Sequence, residues 1–285
     1  MSLNSVSPLR YPGGKGRLGC WLGELMRFNK ISGGIYVEPY AGGAGAALRL
    51  LFSGYVNHII INDVDTAIYG MWHSILHNTN NFLDKLEETP VNIESWGKQK
   101  NIINNPDSYN LLDLGFAAFF LNRTNISGVI KGGVIGGREQ KGNYKINARF
   151  NKAELARRIS RIAGYKNSID AYNCDAMDFI DKITDSLPER SMIYLDPPYY
   201  QKGSQLYRNH YRHDDHVIIA RKIKNICRPW LVTYDNCEQI KNLYNDCPGG
   251  EFNLAYSASP KNRGLATELM FYGNIQLKSF PVLTT

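Results

Sequence analysis

The chain has 285 residues, of which 43% are hydrophobic, enough for one large α/β domain or for one domain with an insertion. A formal net charge of +7 makes a polyanion the first partner to consider. Five cysteines without a Cys-x-x-Cys pair argue against a disulfide framework and a zinc site. The first twelve residues hold no apolar signal segment, and no run approaches the roughly 18 apolar residues of a membrane helix, so we expect a cytoplasmic protein.

The first motif is a glycine-rich turn with one lysine, at residues 10–17 with the sequence Arg-Tyr-Pro-Gly-Gly-Lys-Gly-Arg, and a helix is predicted after it from Leu18 to Phe28. Gly16 follows the lysine where a Walker P-loop has Ser or Thr, which disfavours a nucleotide triphosphatase. We predict that Lys15 is a counter-ion for a carboxylate or phosphate of a ligand. A solvated lysine in an ordinary turn is the alternative.

The second motif joins a predicted strand at Ile35 to Val37 to a predicted helix at Ala46 to Phe52. Residues 38–45 between them read Glu-Pro-Tyr-Ala-Gly-Gly-Ala-Gly. Glycines here let a ligand approach the backbone, and the helix N-terminus supplies free amide donors. The glycine pair that starts at Gly43 lacks the third glycine of a dinucleotide fingerprint. We therefore expect Glu38, Tyr40 and Gly43 to lie beside a ligand.

Two further strands are predicted to end at acidic residues. The strand from His58 to Asn62 ends at Asp63, about twenty residues past the glycines, where an acid can accept hydrogen bonds from ribose hydroxyls. After the strand from Ser168 to Tyr172, Asp175 can accept from an adenine amine while the backbone amide of Ala176 donates to the ring. Together these features predict a site for an adenosine-type ligand. A helix-capping role for Asp63 is the alternative.

No strand is predicted in the middle of the chain. A long helix is predicted from Ala67 to Leu86, residues 87–110 are polar with proline breakers, and an apolar helix is predicted from Leu111 to Leu121. We therefore expect residues 81–165 to form an inserted domain, with residues 1–80 and 166–285 forming the main domain.

The predicted insertion carries the basic excess of the chain. The sequence between Leu121 and Tyr165 contains ten basic residues and only two acidic ones, Glu139 and Glu154. Glycines punctuate this stretch, and we predict a hairpin with a mobile tip that contacts DNA phosphates and reads base edges. A solvated charged loop is the alternative. The candidate DNA contacts are Arg123, Asn125, Lys131, Arg138, Lys141, Lys145 and Arg149.

The functional interpretation of the other motifs depends on Asp196-Pro197-Pro198-Tyr199. This motif directly follows the apolar run Met192 to Leu195. The run predicts a buried strand that ends at the prolines, and ligands of open α/β sheets bind at the carboxyl ends of strands. A carboxylate, a fixed prolyl carbonyl and an aromatic ring suit a flat ring that bears an amine. We predict that Asp196 and the Pro197 carbonyl hold the amine while Tyr199 stacks on the ring. An ordinary turn with a solvated tyrosine is the alternative.

The C-terminal third completes the predicted sheet. The polar and aromatic stretch from Tyr200 to His216 predicts a lid, and its three evenly spaced histidines lack the carboxylates that would complete a metal site, so no metal is expected. The remaining predictions are a helix at 217–227, a strand at 230–233, a helix at 238–244, and strands at 252–256 and 268–272.

The four motifs at residues 10–15, 38–45, 63 and 196–199, taken together, resemble the Dam-like class of adenine-specific DNA methyltransferases. The resemblance runs in order from about Leu9 to Ile275. It implies an α/β fold with a Rossmann-like seven-stranded methyltransferase sheet, S-adenosylmethionine as the methyl donor, and double-stranded DNA as the partner. It also implies a mostly helical target-recognition domain, inserted before the Asp-Pro-Pro-Tyr strand and carrying the basic hairpin.

The resemblance also assigns residues. It implies cofactor contacts at Tyr11, Lys15, Asp63 and Asp196, and a catalytic tetrad of Asp196, Pro197, Pro198 and Tyr199 acting on a base extruded from the duplex. Tyr11 stands where relatives often have tryptophan. Ser127 to Lys131 stands where an Asn-Gly and Arg arrangement is familiar from enzymes that methylate GATC, which leaves the target sequence open.

Three other interpretations remain open from the sequence. A methyltransferase acting on RNA or on protein glutamine could use a similar amine clamp. A nicotinamide-dependent oxidoreductase would explain Gly43 and Asp63 but not the prolyl tetrad. A module that reads DNA without chemistry would explain the basic segment and would not bind a methyl donor.

Overall fold

The computed structural model of the protein describes residues 6–10, 15–201, 211–255 and 265–281. Within these ranges, seven strands form one sheet. They are β1 (Ile35–Glu38), β2 (His58–Asn62), β3 (Ile169–Tyr172), β4 (Ser191–Leu195), β5 (Trp230–Asp235), β6 (Gly249–Ala255) and β7 (Leu265–Gly273).

The strand order is β3-β2-β1-β4-β5-β7-β6. The first five strands of this order are parallel, whereas β7 runs antiparallel to both of its neighbours, β5 and β6. All five parallel strands therefore present their carboxyl ends at one edge of the sheet, which we call the rim. The predicted seven-stranded Rossmann-like sheet is confirmed.

Helices flank the sheet. They are α1 (Gly19–Phe28), α2 (Gly45–Phe52), α3 (Thr66–His77), α4 (Thr79–Glu88), α5 (Ile93–Asn104), α6 (Leu111–Thr124), α7 (Lys152–Ala163), α8 (Ala176–Thr184), α9 (His213–Lys224) and α10 (Glu238–Leu243). Alternate strand residues enter two separate apolar clusters: Tyr36 and Tyr194 pack with the helices from α1 to α7, and Val37 and Ile193 pack with those from α8 to α10. Both faces are covered, which is why β4 is buried along its whole length.

The helices differ from the sequence predictions in three places. The single helix predicted from Ala67 to Leu86 is two helices, because the backbone of Asn78 leaves the helical region at φ −137°. Helix α5 lies in the polar stretch for which no helix was predicted, and it starts at Asn92, whose side chain accepts from the Ser95 amide. Its buried face is narrow and includes polar residues, so its composition conceals its periodicity. Helix α8 was also not predicted.

The segment from Arg123 to Phe150 is not a pair of strands, as the predicted hairpin would require. Its one antiparallel bridge joins Asn125 to Val134, and the remainder consists of turns and short 3₁₀ segments. Gly136 and Gly137 have positive φ angles, which interrupt an extended ladder. Side chains hold the segment instead: the Gln140 amide donates to the carbonyls of Ile135 and Gly137.

Helix α6 of the predicted insertion packs directly on α3. A Cβ atom added to Gly115 would lie 2.3 Å from the carbonyl carbon of Gly70, so the two backbones are in contact. Phe119 and Phe120 of α6 belong to the same apolar cluster as Tyr36 in the sheet. The division into residues 81–165 and the remainder stays a prediction, and the two parts share one continuous core.

Gly115→Ala tests this contact. The methyl group has no space between α3 and α6, so we expect a loss of about 1–3 kcal/mol or more in the free energy of unfolding, measured by denaturant titration. Gly97→Ala, in α5 with nothing within 4 Å of the added Cβ, is the matched control and should gain about 0.5–1 kcal/mol. Equal effects at both positions would contradict a backbone contact between the helices.

Candidate active site

Five carboxyl groups follow or end the five parallel strands. Glu38 ends β1, Asp63 follows β2, Asp175 lies three residues past β3, Asp196 follows β4 and Asp235 ends β5. Because these strands are parallel, the five residues lie along one rim. The structure thus brings together the four acids that the sequence singled out and adds Asp235.

Asn62, which the sequence analysis missed, ties three strand ends together. Its amide nitrogen donates to the carbonyls of Pro39 (3.0 Å) and Cys174 (3.1 Å), and its amide oxygen accepts from the Cys174 backbone (2.9 Å). Asn62 is buried at the end of β2, between the segments that follow β1 and β3. One side chain therefore fixes the spacing of the three loops on this half of the rim.

Asp63 shapes the glycine turn that follows β1. Its Oδ2 accepts from the Gly42 amide at 2.9 Å and its Oδ1 accepts from the Asp65 amide at 2.9 Å. Burial raises the pKa of Asp63 to about 7, and the nearby charge of Asp65 adds to the shift. The residue that caps α3 is Asp65, whose side chain accepts from the Ala67 amide, so the helix-capping alternative for Asp63 is not supported.

Glu38 is a buried acid at the end of β1. Its Oε1 accepts from the Tyr36 hydroxyl at 3.0 Å, and the backbone of Ala47 in the first turn of α2 also bonds to its carboxyl group. Burial raises the pKa of Glu38 to about 8. The two hydrogen bonds oppose this shift, and the neighbouring Asp196 carboxylate adds to it. Glu38 therefore links β1 to the N-terminus of α2.

Lys15 lies deep in the site, with 3% of its side chain exposed. Its Nζ atom lies 3.1 Å from Asp196 Oδ1, 3.2 Å from Glu268 Oε2 and 3.3 Å from the Tyr199 hydroxyl. Burial lowers the pKa of Lys15, but the charges of Asp196, Tyr199 and Glu268 outweigh it and hold the pKa well above its usual value. The solvated-lysine alternative is therefore excluded.

Asp196 follows the buried strand β4 and keeps 22% of its side chain exposed. Its Oδ1 accepts from the Thr233 hydroxyl at 2.9 Å, and Thr233 is itself 2.8 Å from the Tyr194 hydroxyl. Lys15 also contacts Oδ1. Burial raises the pKa of Asp196, Lys15 opposes the shift and Glu268 adds to it. In the part of the chain that the structure describes, both contacts thus fall on Oδ1, and Oδ2 is the oxygen left for a ligand.

Tyr199 is buried, with 8% of its surface exposed, and its hydroxyl lies among polar groups. The hydroxyl donates to Glu268 Oε1 at 2.6 Å, and Lys15 Nζ lies 5.4 Å from the ring centroid. The backbone after it is held by Asp235, which accepts from the amides of Tyr200 (2.8 Å) and Gln201 (2.9 Å). The turn that contains the two prolines is therefore fixed by side chains on β5 and β7.

The other predicted ligand contacts lie around this centre. The Tyr40 hydroxyl is 2.9 Å from the Tyr211 hydroxyl, and Gly43 is buried in the glycine turn. Asp175 accepts from the Met177 amide and caps α8, with Ala176 as the first residue of that helix. Tyr11 and residues 202–210 of the predicted lid lie outside the described residues.

Two of the predicted DNA contacts are engaged inside the protein. Asn125 is 0% exposed; its oxygen accepts from Trp96 Nε1 at 2.7 Å and its amide donates to the carbonyls of Val129 and Ile130. This burial does not support the DNA contact predicted for Asn125, which instead holds the loop. The Arg123 guanidinium donates to the Arg149 carbonyl.

Four arginines, Arg10, Arg123, Arg149 and Arg158, lie close to one another at this segment. Burial lowers the pKa of Arg123 to about 9, and the charges of Arg10, Arg158 and Arg149 add to the shift. Glu154 pairs with Arg158 at 2.8 Å, whereas no described carboxylate lies within salt-bridge distance of Arg10, Arg123 or Arg149. Such a cluster favours an anion.

The remaining five candidates are exposed: Lys131, Arg138, Lys141, Lys145 and Arg149. Lys131 and Arg138 line a groove of about 750 Å³ against α5, which contributes Trp96 and Lys100. The cationic groups of Lys100 and Arg138 lie 5.5 and 5.8 Å from the Trp96 ring. The sequence analysis missed Trp96 and Lys100 because it predicted no helix there.

Comparison with known families identifies the family of this chain. The model of the D12 class of N6 adenine-specific DNA methyltransferases matches residues 11–258, a range that spans the lysine turn, the rim and the basic segment. The chain belongs to this family. The resemblance seen in the motifs is confirmed, and as a methyltransferase of this class the protein uses S-adenosylmethionine as its methyl donor.

Two solved structures that are similar to this D12 chain have low sequence identity to it. A candidate RNA methyltransferase from Pyrococcus horikoshii is 10% identical, with 95% of this chain and 87% of that chain covered and a TM-score of 0.42. A SAM-dependent methyltransferase from Agrobacterium tumefaciens is 11% identical, with 90% and 61% covered and a TM-score of 0.44. Similarity at this level carries no inference about substrate.

No curated protein matches the chain. Among the described residues, no helix combines the length and apolar character needed to cross a bilayer.

Glu38→Gln tests the buried acid of β1. With a folded-state pKa of about 8 against an ordinary 4.5, wild-type Glu38 costs stability progressively as pH rises through that window. The variant cannot titrate, so we expect its Tm, relative to wild type, to rise as pH increases from acid to neutral and above. Asp181→Asn, 62% exposed beside Lys222, is the control. Parallel Tm curves for wild type and Glu38→Gln would contradict the assignment.

Proposed function

We propose that this enzyme methylates the exocyclic N6 amine of an adenine that is flipped out of duplex DNA at a specific sequence. The observation that carries the proposal is the hydrogen bonding of Asp196, in which Thr233 and Lys15 both contact Oδ1 and leave Oδ2 for a ligand.

The adenine amine is a weak nucleophile because its lone pair is delocalised into the ring. An acceptor for each amine hydrogen favours a tetrahedral nitrogen with a localised lone pair. Asp196 supplies one acceptor, and the carbonyl of Pro197, in a chain fixed by two prolines, supplies the other. Alignment of two reactants can contribute about 7–11 kcal/mol of a barrier, so geometry carries much of the rate.

S-adenosylmethionine supplies a methyl group on a positively charged sulfur. The charge of the site suits such a donor: among the described residues, the carboxylates of Asp196 and Glu268 share the ammonium group of Lys15. A cationic ligand offsets this surplus of carboxyl groups. The set of side chains therefore fits the donor.

The glycine turn fits the remainder of the donor. Gly16, next to Lys15, lies so close to Gly45 that a Cβ on Gly45 would be 3.3 Å from the Gly16 Cα atom. The two turns thus meet without side chains between them, and backbone amides can approach a ligand. We propose ribose contacts at Asp63, adenine contacts at Asp175 and Ala176, and further donor contacts at Tyr11, Lys15, Glu38, Tyr40 and Gly43.

The flipped adenine would stack on Tyr199. The ring is anchored by its hydroxyl to Glu268, so its plane is set before a base arrives. Because Asp196 and Tyr199 are separated only by the two prolines, one base can meet the acceptor at its edge and the ring at its face. Extrusion costs a few kcal/mol, which contacts to the DNA must offset.

The segment from Arg123 to Arg149 is proposed to make those contacts. Its exposed lysines and arginines suit phosphates, and the uncompensated cluster of Arg10, Arg123 and Arg149 suits a phosphate as well. The groove against α5 extends the basic surface to Lys100. Residues 81–165 would then be the target-recognition part, in contact with the core through α6.

Asp196→Ala tests the amine clamp, the pair of acceptors that Asp196 and the Pro197 carbonyl would form. Removing the acceptor should lower methyl transfer by at least about 100-fold. The assay is incorporation of labelled methyl groups from S-adenosylmethionine into unmethylated plasmid, followed by nucleoside analysis, with RNA and protein as parallel substrates. Asp181→Ala, an exposed acid paired with Lys222, controls for loss of a carboxylate. A fully active Asp196→Ala enzyme, or incorporation confined to RNA or protein, would refute the proposal.

Arg138→Ala combined with Lys141→Ala tests the DNA surface. If each side chain neutralises one phosphate, the slope of log K against log salt should become shallower by about 2, with affinity reduced for all sequences alike. Lys241→Ala on α10, which pairs with Glu238 and Glu251, is the matched control. An altered preferred sequence with an unchanged slope would indicate that these residues read bases.

A further inference from the structure

Glu268 is a buried carboxylate that the strand-end pattern does not predict. It is 2% exposed and lies in β7, between Asp235 of β5 and Phe252 of β6 in the register of the sheet. Because β7 runs opposite to the five parallel strands, its N-terminal half lies at the rim where their carboxyl ends lie. Glu268 therefore lies at the same rim as Asp196, although its strand runs in the opposite direction.

Glu268 contacts Tyr199 and Lys15 at the catalytic centre. Its Oε1 accepts from the Tyr199 hydroxyl at 2.6 Å, and its Oε2 lies 3.2 Å from Lys15 Nζ. Lys15 in turn lies 3.1 Å from Asp196 Oδ1. One ammonium group is thus shared by two carboxylates, with 3% of both the Lys15 and Glu268 side chains exposed.

Stability alone does not explain this arrangement. Removing two carboxylates and an ammonium from water costs several kcal/mol per ion, and apolar residues of similar volume often serve folding equally well. Strand β7 has apolar residues on the same sheet, such as Met270, that show what packing would use here. A buried charged group in contact with a catalytic centre is instead a candidate for a functional role.

We propose that Glu268 is a positioning residue for methyl transfer, which fixes the Tyr199 ring through its hydroxyl and holds Lys15 at Oδ1 of Asp196. The inference rests on the proposed function of Asp196 and Tyr199. Glu268 does not contact substrate in this role; it sets the position of the groups that do.

The neighbouring strand completes the arrangement. Asp235 of β5 accepts from the amides of Tyr200 and Gln201, so β5 holds the backbone that follows the prolines. Glu268 of β7 holds the ring of Tyr199 in the same turn. The turn is thus fixed at its backbone and at its aromatic side chain by two adjacent strands, which leaves little freedom in the angle between the ring and the Asp196 carboxylate.

The first test is Glu268→Gln, which keeps the shape and one acceptor oxygen but removes the charge. We expect the single-turnover rate of methyl transfer to fall about 100-fold, as a small misplacement of reacting groups can cause. Saturating S-adenosylmethionine and DNA keep any weaker binding of the cationic donor out of this rate, and the dissociation constant for DNA should stay close to that of wild type. Glu251→Gln on β6, half-exposed and paired with Lys241, is the control and should leave the rate unchanged.

A pH profile separates positioning from a general structural effect. Burial raises the pKa of Asp196, and the charge of Glu268 raises it further, whereas Lys15 lowers it. Tyr194 and Glu38 also interact with Asp196 and are unchanged in the variant. Removing the Glu268 charge therefore lowers the pKa of Asp196, and the acidic limb of the rate profile should move to lower pH. A loss of folded protein would reduce the rate without moving the limb.

A double-mutant cycle tests whether Glu268 affects the rate of methyl transfer through the Tyr199 hydroxyl. Tyr199→Phe removes the hydroxyl that Glu268 accepts from, so the combined loss in Tyr199→Phe with Glu268→Gln should be smaller than the product of the single losses. Thermal unfolding of each variant fixes the folded fraction used in the rates. If the rate reductions of the two single variants multiply in the double variant, Glu268 does not act through the Tyr199 hydroxyl.

The outcome also separates this inference from the proposal on which it rests. If Asp196→Ala is inactive while Glu268→Gln transfers methyl groups at the wild-type rate, the clamp stands and the role of Glu268 is wrong. If Glu268→Gln loses activity only through weaker donor binding, Glu268 is a donor contact and the positioning role is again wrong. If Asp196→Ala is active, the proposed function itself fails.

Discussion

An ammonium group shared by two carboxylates is the constraint on which this site depends. Lys15 lies between Asp196 and Glu268, and its contacts offset charges that would be too costly to bury without a partner. Two carboxylates and one ammonium leave a negative surplus, to which Glu38 at the end of β1 is electrostatically coupled. A site with this balance favours a positively charged ligand, and it favours an amine that offers hydrogens over a group that offers lone pairs.

The three charged residues come from distant parts of the chain, and backbone packing brings them together. Lys15 precedes α1 outside the sheet, and the contact between Gly16 and Gly45 places it over the N-terminus of α2. Asp196 and Glu268 come from strands of opposite direction that are separated in the sheet by β5. A Cβ at Gly45 would lie 3.3 Å from the Gly16 Cα atom, so the position of the ammonium group depends in part on a residue that carries no charge.

The sequence predicted the half of the site that follows from parallel strands. Asp63, Asp175 and Asp196 were found because an acid after an apolar run lies at a carboxyl end, and all such ends share a rim. The same rule missed Glu268, since the rim lies at the N-terminal half of an antiparallel strand and no sequence pattern marks strand direction. Helix α5 was missed because its buried face is partly polar, and Asn125 was assigned to DNA because an amide inside a basic segment gives no sign of its burial.

The predicted insertion and the catalytic centre are joined by more than the chain connection. The Asn122 side chain of α6 accepts from the Arg10 amide at 2.7 Å and donates to the Arg10 carbonyl at 2.9 Å, five residues before Lys15. The same amide donates to the Gly128 carbonyl, at the start of the basic segment. A shift of the basic segment would therefore act directly on Arg10, which precedes the lysine of the catalytic centre in the chain.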